Sequence, residues 1–343
     1  MEKVYRIGSF NLCNIGMGAF TNSRDLEKIA EIIKQFDVVA LQEVLSEGKI
    51  FTKEDIPSSI AKRNILTYLG GEKHWGFSWA SSGDESNRNE GYAFVWNKDR
   101  LDLPEIETER GGVKYKKKFL PRMITINHDD MKRRPYYARF ATKGGFEIRL
   151  LCVHTYYGNS EKESKEESER IRKKELDILL KDIYPQIEDR CTEGVADNCT
   201  ILLGDYNAEL VTDENREWYD NLNTIRMKQM KYKNKNKLPM KMETDEDGCV
   251  CSERYGVKVK TVQYELTTLK KRYNEETDQE EFADRGYASN YDHFSYEESQ
   301  ICDLIQGKPR RIDAVRKYCN DDFEQYYKTV SDHIPIMLEL KIN

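Results

Sequence analysis

The chain has 343 residues, 38% of them hydrophobic and 34% charged, with a formal net charge of −6. That length suits one large layered domain with long polar loops. Net negative charge excludes a surface that traps polyanions all over, so a phosphate-binding site must be local. Cys249 and Cys251 form one close pair with no second pair or nearby histidine, which points away from zinc. Cys13 and Cys152 lie in apolar runs and read as small buried hydrophobes. No apolar stretch has the length of a membrane span or the form of a leader. The expected location is therefore cytoplasmic, or secreted if a leader has been removed.

In chain order, Val4 to Leu12 alternates as a strand and carries Asn11 near its end. Ser23 to Phe36 predicts an amphipathic helix with Ser23 as its cap and Leu26, Ile29, Ala30, Ile33 and Phe36 on one face. Asp37 to Leu41 is a short buried strand running into Gln42 and Glu43. Ser58 to Leu69 predicts a second helix, and Trp75 to Ala80 with Tyr92 to Trp96 an antiparallel pair. The stretch from Leu101 to Arg122 reads as irregular. Tyr136 to Thr142 and Phe146 to Tyr156 form two more strands around Gly144-Gly145, and Glu161 to Lys181 a long helix. Thr200 to Leu203 is a buried strand broken by Gly204.

From about 208 to 290 the pattern weakens and reads as an insertion in a single domain spanning 1–343. It contains the basic run Arg226 to Lys241, either a solvated loop or a clamp on nucleic-acid backbone. Its acidic cluster, Asn274 to Glu281, reads as a solvated face. Arg311 to Val315 and Ile334 to Ile342 predict the last strands. Strands throughout with few helices imply a layered α/β sandwich rather than an alternating βαβ sheet.

Polar groups recur at the strand ends. Asp205 and Asn207 stand two apart, so in an extended chain they project to one side. Taken alone, they make an ordinary turn. Asn11, Glu43, Glu90, His154, Asp313, Asp332 and His333 also flank strands, and acids, amides and imidazoles converging at one sheet edge form a metal and phosphate site. An imidazole titrates near neutrality and can move protons, while a carboxylate on its other nitrogen fixes the tautomer.

The motifs are Ser9-Phe10-Asn11, Leu41-Gln42-Glu43-Val44, Asn89-Glu90-Gly91-Tyr92, Arg134-Pro135, Val153-His154-Thr155, Gly204-Asp205-Tyr206-Asn207, Arg311-Ile312-Asp313 and Ser331-Asp332-His333-Ile334-Pro335. In this order and combination the chain resembles the endonuclease/exonuclease/phosphatase superfamily, deoxyribonuclease I-like branch. The resemblance implies a four-layer α/β/β/α sandwich with its site at one edge. It implies a metal-dependent phosphodiester hydrolase, foremost an endonuclease with DNA as its substrate partner. The alternatives are a phosphoesterase of the same fold acting on a phospholipid, phosphoinositide or nucleotide, and a silent binding module.

Residue by residue, the resemblance makes Glu43, Asn11 and Asp332 the metal-linked groups, for Mg²⁺ or else Mn²⁺ or Ca²⁺. Asp205 and Asn207 orient the phosphate and the attacking water, and Arg134 contacts a phosphate. His333 is expected as general base, oriented by Asp313, and His154 as general acid, oriented by Glu90. Asp292 in Tyr291-Asp292-His293 is the rival for Asp313, which is preferred because Ile312-Asp313-Ala314-Val315 reads as a strand.

Overall fold

The computed structural model describes residues 2–16, 23–45, 59–82, 90–110, 112–124, 131–158, 163–191, 197–210, 242, 249–252, 254, 256–263, 265–274 and 276–343. The basic run at 226–241 and His128 lie outside the described residues.

β1 (Lys3–Ile15) leads through α1 (Leu26–Ile33) to β2 (Val38–Leu45). Asp25, and not Ser23, caps α1, its carboxylate accepting the Lys28 N–H at 3.0 Å. α2 (Ser59–Leu69) precedes the expected antiparallel pair β3 (Trp75–Ser81) and β4 (Glu90–Asn97). The region expected to be irregular instead holds β5 (Leu101–Asp102), the hairpin β6 (Glu105–Arg110) with β7 (Val113–Lys118), and β8 (Arg122–Met123). In that hairpin Glu105, Glu107 and Glu109 stand opposite Lys118, Lys116 and Lys114. Opposite charges pair the strands there, so a search for apolar alternation passes over it.

β9 (Tyr136–Thr142) and β10 (Glu147–His154) follow as predicted, then α3 (Lys165–Ile178) capped by Ser164. A π-helical turn at Leu179–Ile183 joins α3 to α4 (Tyr184–Cys191), and β11 (Asn198–Asp205) comes next. The stretch read as an insertion contains β12 (Cys249–Ser252) and β13 (Val257–Val262), both strands of a main sheet, and the hairpin β14 (Leu269–Asn274) with β15 (Gln279–Tyr287). Of the acidic cluster, Glu276 to Glu280 are exposed, and Gln279 to Glu281 belong to β15. β16 (Asp292–Glu297) and α5 (Glu298–Ile301) precede β17 (Arg310–Arg311), α6 (Ala314–Cys319), α7 (Phe323–Thr329) and β18 (Ile336–Ile342).

The strands form a six-stranded sheet, β17-β18-β1-β2-β4-β3, and an eight-stranded sheet, β12-β13-β16-β11-β10-β9-β5 with β8 beside β9. Alternation sorts their side chains. Tyr92, Phe94 and Trp96 of β4 face Tyr136, Phe140, Ile148 and Leu150 between the sheets, while Ala93 and Val95 turn outward to α1 and α2. Leu151, Val153 and Leu202 turn outward beneath α3 and α4. Helices thus cover each outer face, giving the four-layer α/β/β/α sandwich.

Strand direction places the functional edge. β1 and β2 are parallel, as are β10 and β11; β4, β16 and β18 run antiparallel to their neighbours. The ends of the parallel strands and the starts of the antiparallel ones therefore fall on the same side of each sheet.

Candidate active site

At that edge Asp205, almost fully buried, is the hub. Gly204 before it holds φ +150°, and a Cβ there would stand 1.9 Å from the Val153 carbonyl oxygen, so only glycine lets β11 approach β10 at this point. Asp205 Oδ1 accepts the Asn207 N–H at 2.8 Å, and Oδ2 accepts Asn11 Nδ2 at 3.0 Å. Asn207 sits in the left-handed region at φ +47° and donates Nδ2 to the Thr155 carbonyl at 2.8 Å. The Asp-x-Asn pair is thus a turn locked into the sheet edge. β1 and β2 both shift register near this edge, and Glu43 takes φ +55° in the irregular stretch of β2, a bulge that re-aims its carboxylate. Asn11 Nδ2 also reaches Glu43 Oε1 at 3.0 Å, while Asn11 Oδ1 accepts the Cys13 N–H at 2.9 Å. Asn11, expected to assist Glu43 at a metal, bridges the Glu43 and Asp205 carboxylates through its amide nitrogen.

Two imidazoles flank Asp205. His154 ends β10 directly opposite Asp205, with Nδ1 2.6 Å from Glu90 Oε1 and Nε2 3.6 Å from Asp205 Oδ2. His333 sets Nδ1 2.9 Å from Asp292 Oδ2 and Nε2 3.5 Å from Asp205 Oδ2. Its backbone is tied down: the His333 N–H donates to Ser331 Oγ at 3.0 Å, and Tyr326 Oη donates to the His333 carbonyl at 3.1 Å. Ser331 Oγ in turn donates to the Asn11 carbonyl at 2.7 Å.

The expected partner of His333, Asp313, is not in the site. The predicted strand stops at Arg311, and Asp313 stands exposed at the start of α6, where its carbonyl accepts the Lys317 N–H. Asp292, fully buried and the first residue of β16, takes the role because β16 lies beside β11. Arg134 is exposed beside the edge, its N–H donating to the Ser82 carbonyl. The neighbouring Arg133 is the one the structure draws in: Nη2 meets Glu90 Oε2 at 2.8 Å and Nη1 the Thr155 carbonyl at 3.2 Å. A residue count cannot separate neighbours that point to opposite sides. His293 turns to the outer face, Nε2 3.1 Å from the Ala208 carbonyl, and burial pulls its pKa down. His74 is half exposed and pairs with Asp99.

No protein-family model matches the chain. A deoxyribonuclease of Thioalkalivibrio sp. (strain K90mix) is 25% identical over 203 residues, 59% of this chain and 46% of that protein. The match therefore spans less than half of that relative. A crystal structure of an endonuclease/exonuclease/phosphatase family protein from Bacteroides thetaiotaomicron superposes with a TM-score of 0.50 at 14% identity, covering 100% of this chain and 99% of that one. Truncated Caenorhabditis elegans TDP2 gives 0.50 at 15% identity, covering 99% and 98%. A mannosyl-6-phosphatase from Bacteroides thetaiotaomicron gives 0.50 at 14% identity, covering 98% and 99%. The chain shares the fold of these endonuclease/exonuclease/phosphatase structures. The likeness at these identities is one of architecture, and within this superfamily fold the chemistry has to be argued from the side chains.

Those side chains concentrate negative charge. Burial raises the pKa of Glu43, the charge of His154 opposes it, and the charges of Glu90 and Asp332 add to the rise. Burial lowers the pKa of His333, but the charges of Asp292 and Asp205 and the Asp292 hydrogen bond outweigh it and leave that imidazole well above 6.5. Burial and the Arg133 charge lower that of His154, and Glu90 and Asp205 turn the balance upward. Both imidazoles are therefore held toward their protonated, donating forms. Among the described residues, no group of three or more His, Cys, Asp or Glu converges as a complete cage for a metal ion. Glu43 and Asp332 instead supply carboxylates beside the open edge. That donor set fits a hard cation that keeps most of its waters and takes a carboxylate or two plus phosphate oxygen.

Proposed function

We propose that the chain is a phosphoester hydrolase that cuts DNA internally, with Mg²⁺ as its cofactor. One observation carries the reading: a single carboxylate oxygen, Asp205 Oδ2, lies 3.6 Å and 3.5 Å from the Nε2 atoms of two imidazoles, each backed on Nδ1 by its own carboxylate. A phosphoester needs its non-bridging oxygens neutralised, a water deprotonated and a leaving oxygen protonated, and this edge holds a group for each. Asp205, fixed through Asn207 and Asn11, takes the proton of the attacking water. His333, with Nδ1 backed by Asp292 and its charged form favoured by Asp292 and Asp205, is assigned as donor to a non-bridging oxygen rather than as the general base expected from the motifs. His154, oriented by Glu90, gives its proton to the leaving oxygen as the P–O bond breaks. Glu43 and Asp332 would hold the Mg²⁺, which when bound neutralises phosphate charge. Arg134, exposed beside the site, is suited to a flanking phosphate.

DNA is favoured as substrate by the match to the Thioalkalivibrio deoxyribonuclease. The test is incubation with supercoiled plasmid, linear DNA, RNA and bis(p-nitrophenyl) phosphate, in Mg²⁺ or EDTA, beside His154→Ala and His333→Ala. Nicking of plasmid in Mg²⁺ that both variants lose is the expected result. Turnover of small phosphoesters with every nucleic acid intact rejects the DNA assignment, and activity surviving in His333→Ala rejects the donor role.

A further inference from the structure

Glu175 lies on α3, outside the edge that carries the histidines, and is fully buried. Its neighbours Leu176, Leu179 and Leu180 pack into the apolar layer under the helices. A carboxylate in such a place is costly unless its oxygens are hydrogen-bonded. Both are: Oε1 accepts the Lys132 N–H at 2.8 Å and Oε2 the Tyr156 N–H at 2.7 Å. Removing the acid would leave both backbone N–H groups without that acceptor, so part of its role is to hold these two segments in place.

What the two amides have in common is the site. Lys132 precedes Arg133, whose guanidinium reaches Glu90 and the Thr155 carbonyl. Tyr156 follows Thr155, and that same carbonyl accepts Asn207 Nδ2. Glu175 thus clamps the strand exit after His154 to the loop that delivers Arg133. Arg133 in turn holds Glu90 Oε2, while Glu90 Oε1 orients His154.

We infer that Glu175 is a positioning residue for phosphoester hydrolysis, setting the His154–Glu90 pair from behind the sheet through Arg133 and the Thr155 carbonyl. The inference rests on the proposed function. A carboxylate is required because two converging backbone donors need two acceptors on one rigid fork; an amide offers one acceptor and sets its own N–H₂ against the second donor.

The experiment is a double-mutant cycle of Glu175→Gln and Arg133→Gln, read on bis(p-nitrophenyl) phosphate, together with the NMR exchange of the Arg133 guanidinium protons. Arg139, whose guanidinium grips Glu147 at 2.7 and 2.8 Å at the far end of the same sheet, is the internal control. Glu175→Gln is expected to lower kcat/KM roughly ten- to a hundred-fold. In the Arg133→Gln background it should change kcat/KM by no more than about twofold. Arg133 protons should exchange faster while those of Arg139 stay protected. An undiminished loss in the Arg133→Gln background, or Arg133 protection unchanged in Glu175→Gln, overturns the inference. Should the wild type hydrolyse no phosphoester, the proposed function fails, and the guanidinium readout still decides whether Glu175 sets Arg133. If Glu175→Gln does not fold, Glu175→Asp, shorter and still anionic, is read the same way.

Discussion

The two ends of β10 make a contrast in how a sheet handles buried charge. At its start, Glu147 is held by Arg139 through two hydrogen bonds at 2.7 and 2.8 Å, and the fully buried Arg149 lies 3.4 Å away and donates to Asn198. Cations there match or exceed the acid, and every group is spent on another. At its end, His154 enters a cluster where Glu43, Glu90, Asp205, Asp292 and Asp332 gather around Arg133 and two imidazoles. Acid is left over. The first end is closed by its own pairing, and the second has unspent negative charge at an open edge, the condition for taking up a cation and moving protons. Buried charge on one strand is thus structural or chemical according to whether its partners balance it.

The contrast breaks most visibly at Asp292. Asp292→Asn leaves His333 without its anionic partner and should reduce kcat about a thousandfold, while Asp313→Asn stays within about twofold of wild type. Equal losses in the two variants, measured on plasmid and on bis(p-nitrophenyl) phosphate, would return the role to Asp313. At the balanced end the cost should fall on the fold. Glu147→Gln strips the acid from two guanidiniums, one of them fully buried, and is expected to cost about 3 kcal/mol in urea unfolding with kcat near wild type. A large drop in kcat at unchanged stability would erase the distinction.

The pH response sharpens it further. The folded pKa of His333 is raised, so the imidazolium and its stabilising pairs are fully present below the ordinary histidine value of about 6.5 and are lost as pH rises through the folded value. Activity dependent on that donor should fall on the same alkaline limb, and a pH–rate profile of His333→Gln should lack the limb. The smallest effect lies far from either end. Burial raises the pKa of Asp25, yet its bonds with Lys28 outweigh this and leave it lowered. Its capping contribution is therefore present above the ordinary carboxylate pKa and disappears as pH falls through the lowered one. Asp25→Ala should cost about 1 kcal/mol near neutrality, and thermal unfolding should show that difference vanish in acid.

Much of this was legible in residue order. The apolar runs Tyr92 to Trp96 and Ile148 to Val153 marked strands, and Gly204 with Asp205 and Asn207 marked a turn at a strand end. The pairing of His154 with Glu90 followed from the motifs. Local patterns carry that much because they report on one strand at a time. The partner of His333 was decided elsewhere. Asp292 and Asp313 each precede apolar residues, and only the placement of β16 beside β11, with the chain turning into α6 after Arg311, buries one and exposes the other. Arg133 against Arg134 is likewise a matter of which side of the chain faces Glu90. Glu175 carried no local signal at all, since its two donors lie 43 and 19 residues away. Sequence fixes which groups a strand end can offer; the packing of strands distant in the chain decides which of them meet.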